Sequence, residues 1–311
     1  MNAGGPRPRD ADTMRSRGMA ALVGAAVLWS LNGPLIKLLS SSASGEPGVP
    51  AATIACYRSL LGGLLFLPLA WRGFSQLRGT HPGWPAFSVA AFTVMTLFFV
   101  MATTSGSAAN AIVLQYTSPL WVFLLAPALL GERGGRGEGG ILLLAMAGVA
   151  VIFAGHATSE LTPLLLGLAS GLGYGLLTIA LRGLRAVDPL AVVALNFLGS
   201  GVLLLPAAAA WGELWITPRQ WLLVLVFSVV QFALPYVIFT WALRHVEARR
   251  AALIVLLEAL LNPVMTWLLV GERVPTATLI GGPILLLSVG WWIARSGRPA
   301  AARPTPNSPA R

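Results

Sequence analysis

The chain has 311 residues, of which 56% are hydrophobic and 10% are charged. Because soluble domains carry about 25% charged residues, this composition excludes a soluble globular protein. The formal net charge is +10, but the basic residues lie mostly at the ends of apolar segments, so the charge indicates membrane orientation and no nucleic-acid partner is expected.

Ten apolar segments follow one another along the chain. Most are close to the roughly 20 residues that a helix needs to cross a bilayer. Their Leu, Ala, Gly and Val content favours helices over barrel strands. The sequence therefore predicts an all-α integral membrane protein with ten transmembrane helices. The segments are Met19–Ser40, Ala51–Trp71, Pro85–Thr104, Ala108–Leu130, Gly140–Gly155, Leu161–Leu181, Pro189–Trp211, Gln220–Leu243, Ala251–Val270 and Ala277–Ala294.

The two ends of the chain, residues 1–18 and 295–311, are rich in Pro, Arg, Gly and Ala, and we expect both to be disordered tails. With the N-terminus inside, the cytoplasmic segments hold 17 basic residues and the outer segments hold three. The positive-inside rule then places both termini in the cytoplasm and the linker 156–160 in the periplasm. The Arg-, Ala- and Gly-rich composition indicates a bacterial inner-membrane protein.

The ten segments form two copies of five, residues 19–155 and residues 161–294. Each copy has an odd number of spans, so the second copy must enter the membrane in the opposite orientation. Inverted repeats of this kind place a binding site near the midplane, at the interface between the copies. Matched residues include Trp29 with Tyr174, Lys37 with Arg182, Arg58 with Asn196, Gly63 with Gly201, and Gly131-Glu132-Arg133 with Gly271-Glu272-Arg273.

Glu258 is the most informative residue of the ninth span. It lies near the centre of Ala251–Val270, which has no other charged residue. A carboxylate at the midplane costs at least about 2.5 kcal/mol on insertion scales, so it predicts a functional site. Ser118 occupies the corresponding place in the first copy.

The chain carries the motifs Ser107-Ala108-Ala109-Asn110-Ala111, Gln115-Tyr116-Thr117-Ser118-Pro119, Gly131-Glu132-Arg133, Ala251-Ala252-Leu253, Glu258 and Gly271-Glu272-Arg273. These stretches resemble the EamA-type branch of the drug/metabolite transporter superfamily. The resemblance covers roughly residues 19–294. It implies a basket of ten helices, cytoplasmic termini, and carriage, often export, of amino acids or other metabolites. Many relatives have proline after the glutamate where this chain has Ala259, so the position of the helix distortion in span nine is not predicted.

Helical spacing places other polar residues beside Glu258. Asn262 lies one turn further along span nine, and Gln115 and Ser118 are three residues apart in span four, so two polar stripes can face one cavity. Bonding between helices is the alternative role for these amides and hydroxyls. The candidate substrate-binding residues are Glu258, Arg58, Asn262, Ser118, Gln115, Trp29, Asn32, Tyr174, Gln231, Tyr236 and Asn196.

Prolines interrupt four of the predicted spans near the midplane. Pro34, Pro119, Pro235 and Pro263 lie in spans one, four, eight and nine. Proline removes a backbone hydrogen bond and can free a carbonyl toward a cavity. This concentration indicates that these four helices surround the pathway.

Arg58, near the middle of span two, has three alternative roles. It can pair with Glu258 and offset the desolvation cost of both charges, in which case Glu258 stays ionised and carries no proton. It can face the cavity and hold a substrate carboxylate, which leaves Glu258 able to carry a proton. It can also be a structural anchor that bonds helix carbonyls. Lys37 is expected to reach the membrane interface, and Glu132 and Glu272 are expected to cap spans four and nine, with gating as the alternative.

These features predict a secondary transporter, not an enzyme. We expect export of small polar metabolites or amino acids by alternating access, with a small-molecule substrate and the lipid bilayer as partners. No metal, cofactor or catalytic residue is expected, because the chain has no zinc-like histidine spacing and no phosphate-binding loop. A non-transporting scaffold or receptor is the alternative, followed by an intramembrane enzyme that uses Glu258. A monomer and a homodimer fit the sequence equally.

Overall fold

The computed structural model describes residues 8–42, 46–131, 138–156 and 161–296. Most of these residues are helical, and a 3-10 turn, Trp71–Gly79, and a π-helix, Phe227–Ala233, join the α-helices. The α-helices are α1 Pro8–Trp29, α2 Asn32–Ser40, α3 Ala51–Ala70, α4 Gly83–Ser105, α5 Ala108–Gln115, α6 Ser118–Leu130, α7 Glu138–Ala154, α8 Leu161–Gly183, α9 Pro189–Trp211, α10 Pro218–Val226, α11 Leu234–Ala242, α12 Ala248–Val255, α13 Leu257–Val270 and α14 Thr276–Ser296.

Within the described ranges, nine helical stretches are long and apolar enough to cross a membrane. A tenth apolar helix, Gly139–Ala154, is shorter. The prediction of an all-helical membrane protein is therefore confirmed, whereas ten full-length spans are not. Helix α7 begins directly after residues 132–137, which lie outside the described part of the chain.

The first helix is longer than the sequence predicts. It begins at Pro8, so residues 8–18 are helical and the prediction of a disordered tail is wrong there. Proline is well tolerated at the first position of a helix, and residues 9–17 contain neither Gly nor Pro. Residues 1–7, the linker residues 157–160 and residues 297–311 lie outside the described part of the chain.

Four of the described membrane helices are interrupted, and they are the four in which prolines were noted. Three of the interruptions fall about one turn before a proline, where the missing amide leaves a carbonyl without its helical partner. In span nine the interruption is at Leu256, seven residues before Pro263, so this proline does not cause it. The interruptions lie at residues 30–31, 116–117, 227–233 and 256.

Helices α3 and α9, equivalent in the two copies, pack directly on each other. A Cβ added at Gly63 would lie 2.6 Å from Leu198 Cγ, and one added at Gly201 would lie 2.6 Å from Leu60 Cγ. The later residue of one helix thus meets the earlier residue of the other, so the equivalent helices run antiparallel. Such reciprocal contacts are the signature of a twofold axis.

Helices α7 and α14 repeat this arrangement. Gly148 packs against Leu285, and Gly281 packs against Ile152. Both pairs bring backbones close together through glycine, as is common between membrane helices.

We expect Gly63→Ala to destabilise the protein by about 1–3 kcal/mol, because the new methyl group overlaps both the Leu198 side chain and its backbone nitrogen. Thermal unfolding of the purified variant measures this loss. Gly24→Ala is the matched control, since a Cβ at Gly24 meets nothing within 4 Å. Equal melting temperatures for the two variants would contradict the close approach of α3 and α9.

Helices α6 and α13 also end in the same way. Gly131 and Gly271 follow these helices with φ values of 69° and 77°, a left-handed conformation that glycine adopts without strain and that commonly ends helices. The glycine of the repeated tripeptide is thereby explained. Glu132 and Arg133 lie outside the described residues.

Candidate substrate-binding site

A cavity of about 280 Å³ lies between the interrupted helices and α3, α4 and α8. Its volume is close to the lower end of the range for small-molecule sites, about 300 Å³. Eight of the predicted site residues line it, and their role in substrate binding remains a prediction. They are Trp29, Asn32, Arg58, Gln115, Tyr174, Gln231, Tyr236 and Glu258.

Glu258 lies in the first turn of α13, directly after the interruption at Leu256. Its Oε2 atom accepts a hydrogen bond from the Tyr116 hydroxyl at 3.2 Å. The unpaired amides of a helix N-terminus favour an acidic group at this position. No ion pair joins Glu258 to any cation among the described residues, so its charge is available to a ligand in the cavity.

Arg58 is 3% exposed and is held on several sides. Nη1 donates to Asn32 Oδ1 at 2.9 Å, and Nη2 donates to Thr96 Oγ1. The rings of Phe227 and Phe232 lie 5.3 and 4.9 Å from the guanidinium carbon, which is the distance of a cation–π contact. Within the described residues Nε has no hydrogen-bond partner.

These contacts bear on the roles considered for Arg58, and its part in substrate binding stays a prediction. The guanidinium forms no ion pair with Glu258, although both residues line the same cavity. It is anchored by side chains of two neighbouring helices, and not by helix carbonyls. A cavity with an acid and a base that do not neutralise each other can accept a ligand that carries both charges.

Three predicted site residues do not line the cavity, and each is explained by its neighbours. Asn262 is fully buried one turn beyond Glu258, where a Cβ at Gly33 would lie 2.6 Å from its Oδ1. Ser118 follows the interruption at 116–117, so its spacing from Gln115 no longer places both residues on one face. Asn196 accepts a hydrogen bond from Ser88 Oγ at 2.8 Å and is buried between helices.

Ten lining residues were missed by the sequence analysis. Tyr116 and Thr96 are the polar ones, and they contact Glu258 and Arg58. Tyr116 lies beside the predicted residue Gln115, which is the one signal that pointed to it. The apolar members carry no sequence signal that separates them from lipid-facing residues. They are Phe92, Met95, Phe99, Leu177, Leu181, Phe232, Phe239 and Val255.

Lys37 and Glu272 form an ion pair of 2.9 Å at the predicted outer face, and both side chains are about one-fifth exposed. Lys37 Nζ also donates to Gly106 O at 2.6 Å, and Glu272 Oε1 accepts from the Ala108 amide at 2.8 Å. Lys37 is therefore paired at this end of span one, and its extension to the membrane interface stays a prediction. Glu272 caps the N-terminus of α5 and does not cap its own helix, because α5 offers unpaired amides there. We name this cluster the outer clasp.

The comparisons with known proteins agree with this architecture. The sequence model of the EamA-like transporter family matches residues 16–154 and residues 161–293, one match for each copy. An uncharacterised transporter from Archaeoglobus fulgidus is 27% identical over 88% of this chain and 94% of its own length. The pseudopaline exporter CntI from Pseudomonas aeruginosa is 28% identical over 84% of this chain and 92% of its own.

A solved crystal structure shares the fold at 21% sequence identity, with a TM-score of 0.59. The alignment covers 90% of this chain and 99% of that one. The family match covers both copies and nearly all of the described helices. This chain belongs to the EamA-like transporter family and is a multi-pass membrane transporter.

Proposed function

We propose that the chain is a secondary transporter that exports small amphoteric metabolites, such as amino acids, across the bacterial inner membrane. The observation that carries this proposal is a cavity lined by Glu258 and Arg58, which form no ion pair with each other. A substrate ammonium would bind the carboxylate, and a substrate carboxylate would bind the guanidinium.

The remaining walls of the cavity suit an apolar or aromatic substrate body. The rings of Trp29 and Tyr236 are 5.2 Å apart at 77°, and Phe239 lies 5.4 Å from Trp29. Ligand sites commonly combine such apolar walls with a few fixed polar groups. The substrate class that follows is a small molecule with one positive group, one negative group and a compact hydrophobic part.

Alternating access by two inverted five-helix repeats is supported by the antiparallel packing of equivalent helices. This packing requires α3 and α9 to cross the bilayer in opposite directions, as in inverted-repeat carriers. The prediction of ten spans needs α7 to cross as well, and its 17 residues would extend over about 25 Å, slightly less than the roughly 30 Å hydrocarbon core.

Two observations support the proposed membrane orientation and the proposed direction of transport. One is the distribution of basic residues, and the other is the name of one relative. Basic residues concentrate on the side predicted to be cytoplasmic. One relative with 28% identity is named as an exporter of pseudopaline. The charge distribution supports cytoplasmic termini, and the relative supports outward movement of a substrate from the cytoplasm.

A two-stage experiment tests the transport proposal. Thermal-shift measurements with a panel of amino acids and related zwitterions first identify a ligand that raises the melting temperature of the purified protein. Proteoliposomes then report whether a radiolabelled form of that ligand crosses the membrane. Binding without flux would instead favour a scaffold or receptor.

Orientation is tested with single cysteines at positions 131 and 271, introduced after Cys56 is replaced by Ser. An impermeant thiol reagent should label the two positions from opposite sides of the membrane. Labelling from the same side would refute the inverted repeat.

We expect Glu272→Gln to increase the labelling rate of a cysteine at position 95, where half-buried Met95 lines the cavity, about fivefold when the reagent is added outside. The reason is that the outer clasp loses a partly buried ion pair, worth about 1 kcal/mol. Glu247→Gln is the matched control, because it removes an ion pair with Arg250 that is exposed. Unchanged labelling in Glu272→Gln would mean that the outer clasp does not restrict access.

A further inference from the structure

The Tyr116 hydroxyl lies between two acceptors on span nine. Its oxygen is 3.2 Å from Glu258 Oε2 and 3.2 Å from the Val255 carbonyl oxygen. A phenol has one proton to donate, so it fully satisfies one of these acceptors at a time. Which acceptor receives the proton depends on whether the Glu258 carboxyl carries a proton of its own.

The Val255 carbonyl needs this donor because the helix is interrupted beside it. Helix α12 ends at Val255, and α13 begins at Leu257. The Ala259 amide donates to Leu256 O at 3.1 Å, one residue short of the usual helical partner. Within a membrane protein a backbone carbonyl must find a donor inside the protein or in a water-filled cavity. Tyr116 therefore occupies the position of the missing helical donor.

Tyr116 itself lies at the equivalent interruption of the first copy. It follows the last residue of α5, as Leu256 follows the last residue of α12. Matching Ala111 with Ala251 also matches Tyr116 with Leu256. One side chain thus connects the interruptions of the two repeats.

Two hydrogen-bond arrangements follow. With Glu258 ionised, the Tyr116 proton goes to the carboxylate and the Val255 carbonyl loses its donor. With Glu258 protonated, the carboxyl donates to the Tyr116 oxygen, and the Tyr116 proton goes to the Val255 carbonyl. All groups are paired in the second arrangement, so protonation completes a chain of hydrogen bonds that stabilises the interrupted segment of span nine.

We propose that Tyr116 is a positioning residue that couples proton binding at Glu258 to stabilisation of the helix interruption at Leu256. For its part in transport this inference rests on the proposed function. Proton binding would thereby change the contact between the two repeats, which is the movement that alternating access requires.

No other charged or titratable group near Glu258 takes the place of Tyr116 in these hydrogen bonds. Arg58 is held by Asn32 and Thr96, and Lys37, on the neighbouring α2, is paired with Glu272. The remaining titratable side chains that line the cavity are the phenols of Tyr174 and Tyr236. Neither hydroxyl is within hydrogen-bond distance of Glu258 in the described structure.

Hydrogen exchange of the full-length protein in lipid nanodiscs tests the coupling without a substrate. Exchange of the amides in residues 256–260 is compared at acidic and alkaline pH, after correction with an unstructured reference peptide. We expect the corrected protection in the unmodified protein to be about fivefold higher at acidic pH, which corresponds to one net hydrogen bond.

Two variants separate coupling from simple packing. Glu258→Gln carries a permanent donor, so its protection should match the acidic value at both pH values. Tyr116→Phe keeps the carboxyl but lacks the relay, so the pH response should disappear. Tyr57→Phe is the matched control and should retain the response, because its hydroxyl donates to Leu214 O, outside the cavity.

A pH response that persists in Tyr116→Phe, or in Glu258→Gln, would overturn the coupling. Tyr116→Phe could instead lower the protection by the same factor at both pH values and keep the pH response of the unmodified protein. That result would show that the tyrosine has only a structural role. These outcomes are distinct from failure of the transport proposal. A chain that shows the pH response but no flux would refute transport alone, and flux without the pH response would refute only this inference.

Discussion

Glu258→Gln is expected to reduce substrate flux in proteoliposomes by about ten- to a hundredfold. The substitution keeps the shape of the side chain but removes the negative charge that would bind a substrate ammonium. Hydrogen bonds to charged groups are worth about 1.5–3 kcal/mol, which corresponds to this range. Insertion and melting temperature should stay near those of the unmodified protein, because a neutral side chain is easier to place at the midplane than a charged one.

Glu213→Gln is the matched control for this measurement. Glu213 lies after α9, at the end of a span and away from the cavity. The same change of charge there should leave flux unaltered. Normal flux in Glu258→Gln, measured beside this control, would remove Glu258 from the site.

Arg58→Ala is expected to lower both stability and flux. Removal of the guanidinium leaves Asn32 Oδ1 and Thr96 Oγ1 without their donor and empties the space beside Phe227 and Phe232. Lost hydrogen bonds and a new cavity together should reduce the free energy of unfolding by about 3 kcal/mol. Melting curves and ligand flux measure the two effects separately.

Arg58→Lys distinguishes charge from geometry. Lysine keeps the positive charge but lacks the planar fork that reaches both Asn32 and Thr96. We therefore expect an intermediate loss of stability. A variant as stable as the unmodified protein would contradict the anchoring role of the guanidinium.

A double variant of Arg58→Ala and Glu258→Gln tests whether the two charges are coupled. Because the structure contains no ion pair between them, their effects on stability should add to within about 0.5 kcal/mol. A larger interaction would indicate a pair that forms in another state of the transporter.

The interrupted helices show which features of the fold can be predicted from local sequence. Pro34, Pro119 and Pro235 lie close after interruptions, since proline removes a specific amide wherever it occurs. The interruption before Glu258 has no such proline, and the Val255 carbonyl beside it is bonded by Tyr116, which lies 139 residues earlier in the chain. A contact across that separation has no local signal.

The same distinction explains the site residues. Periodicity predicted that Asn262 would share the face of Glu258, and within α13 the two residues are one turn apart. The cavity ends between them because α2 brings Gly33 against Asn262. The spacing of residues within one helix does not predict where a neighbouring helix closes off the cavity.

Sequence alone determined the membrane class, the two copies and the acid within an apolar span, because composition, internal repetition and the cost of burying a charge act wherever the chain folds. Only the tertiary structure decided the partners of charged groups. Arg58 is bound by Asn32 and Thr96, and Lys37 is bound by Glu272, through contacts between helices distant in sequence. Electrostatic pairing depends on distances of a few ångströms, and packing of the whole bundle sets those distances.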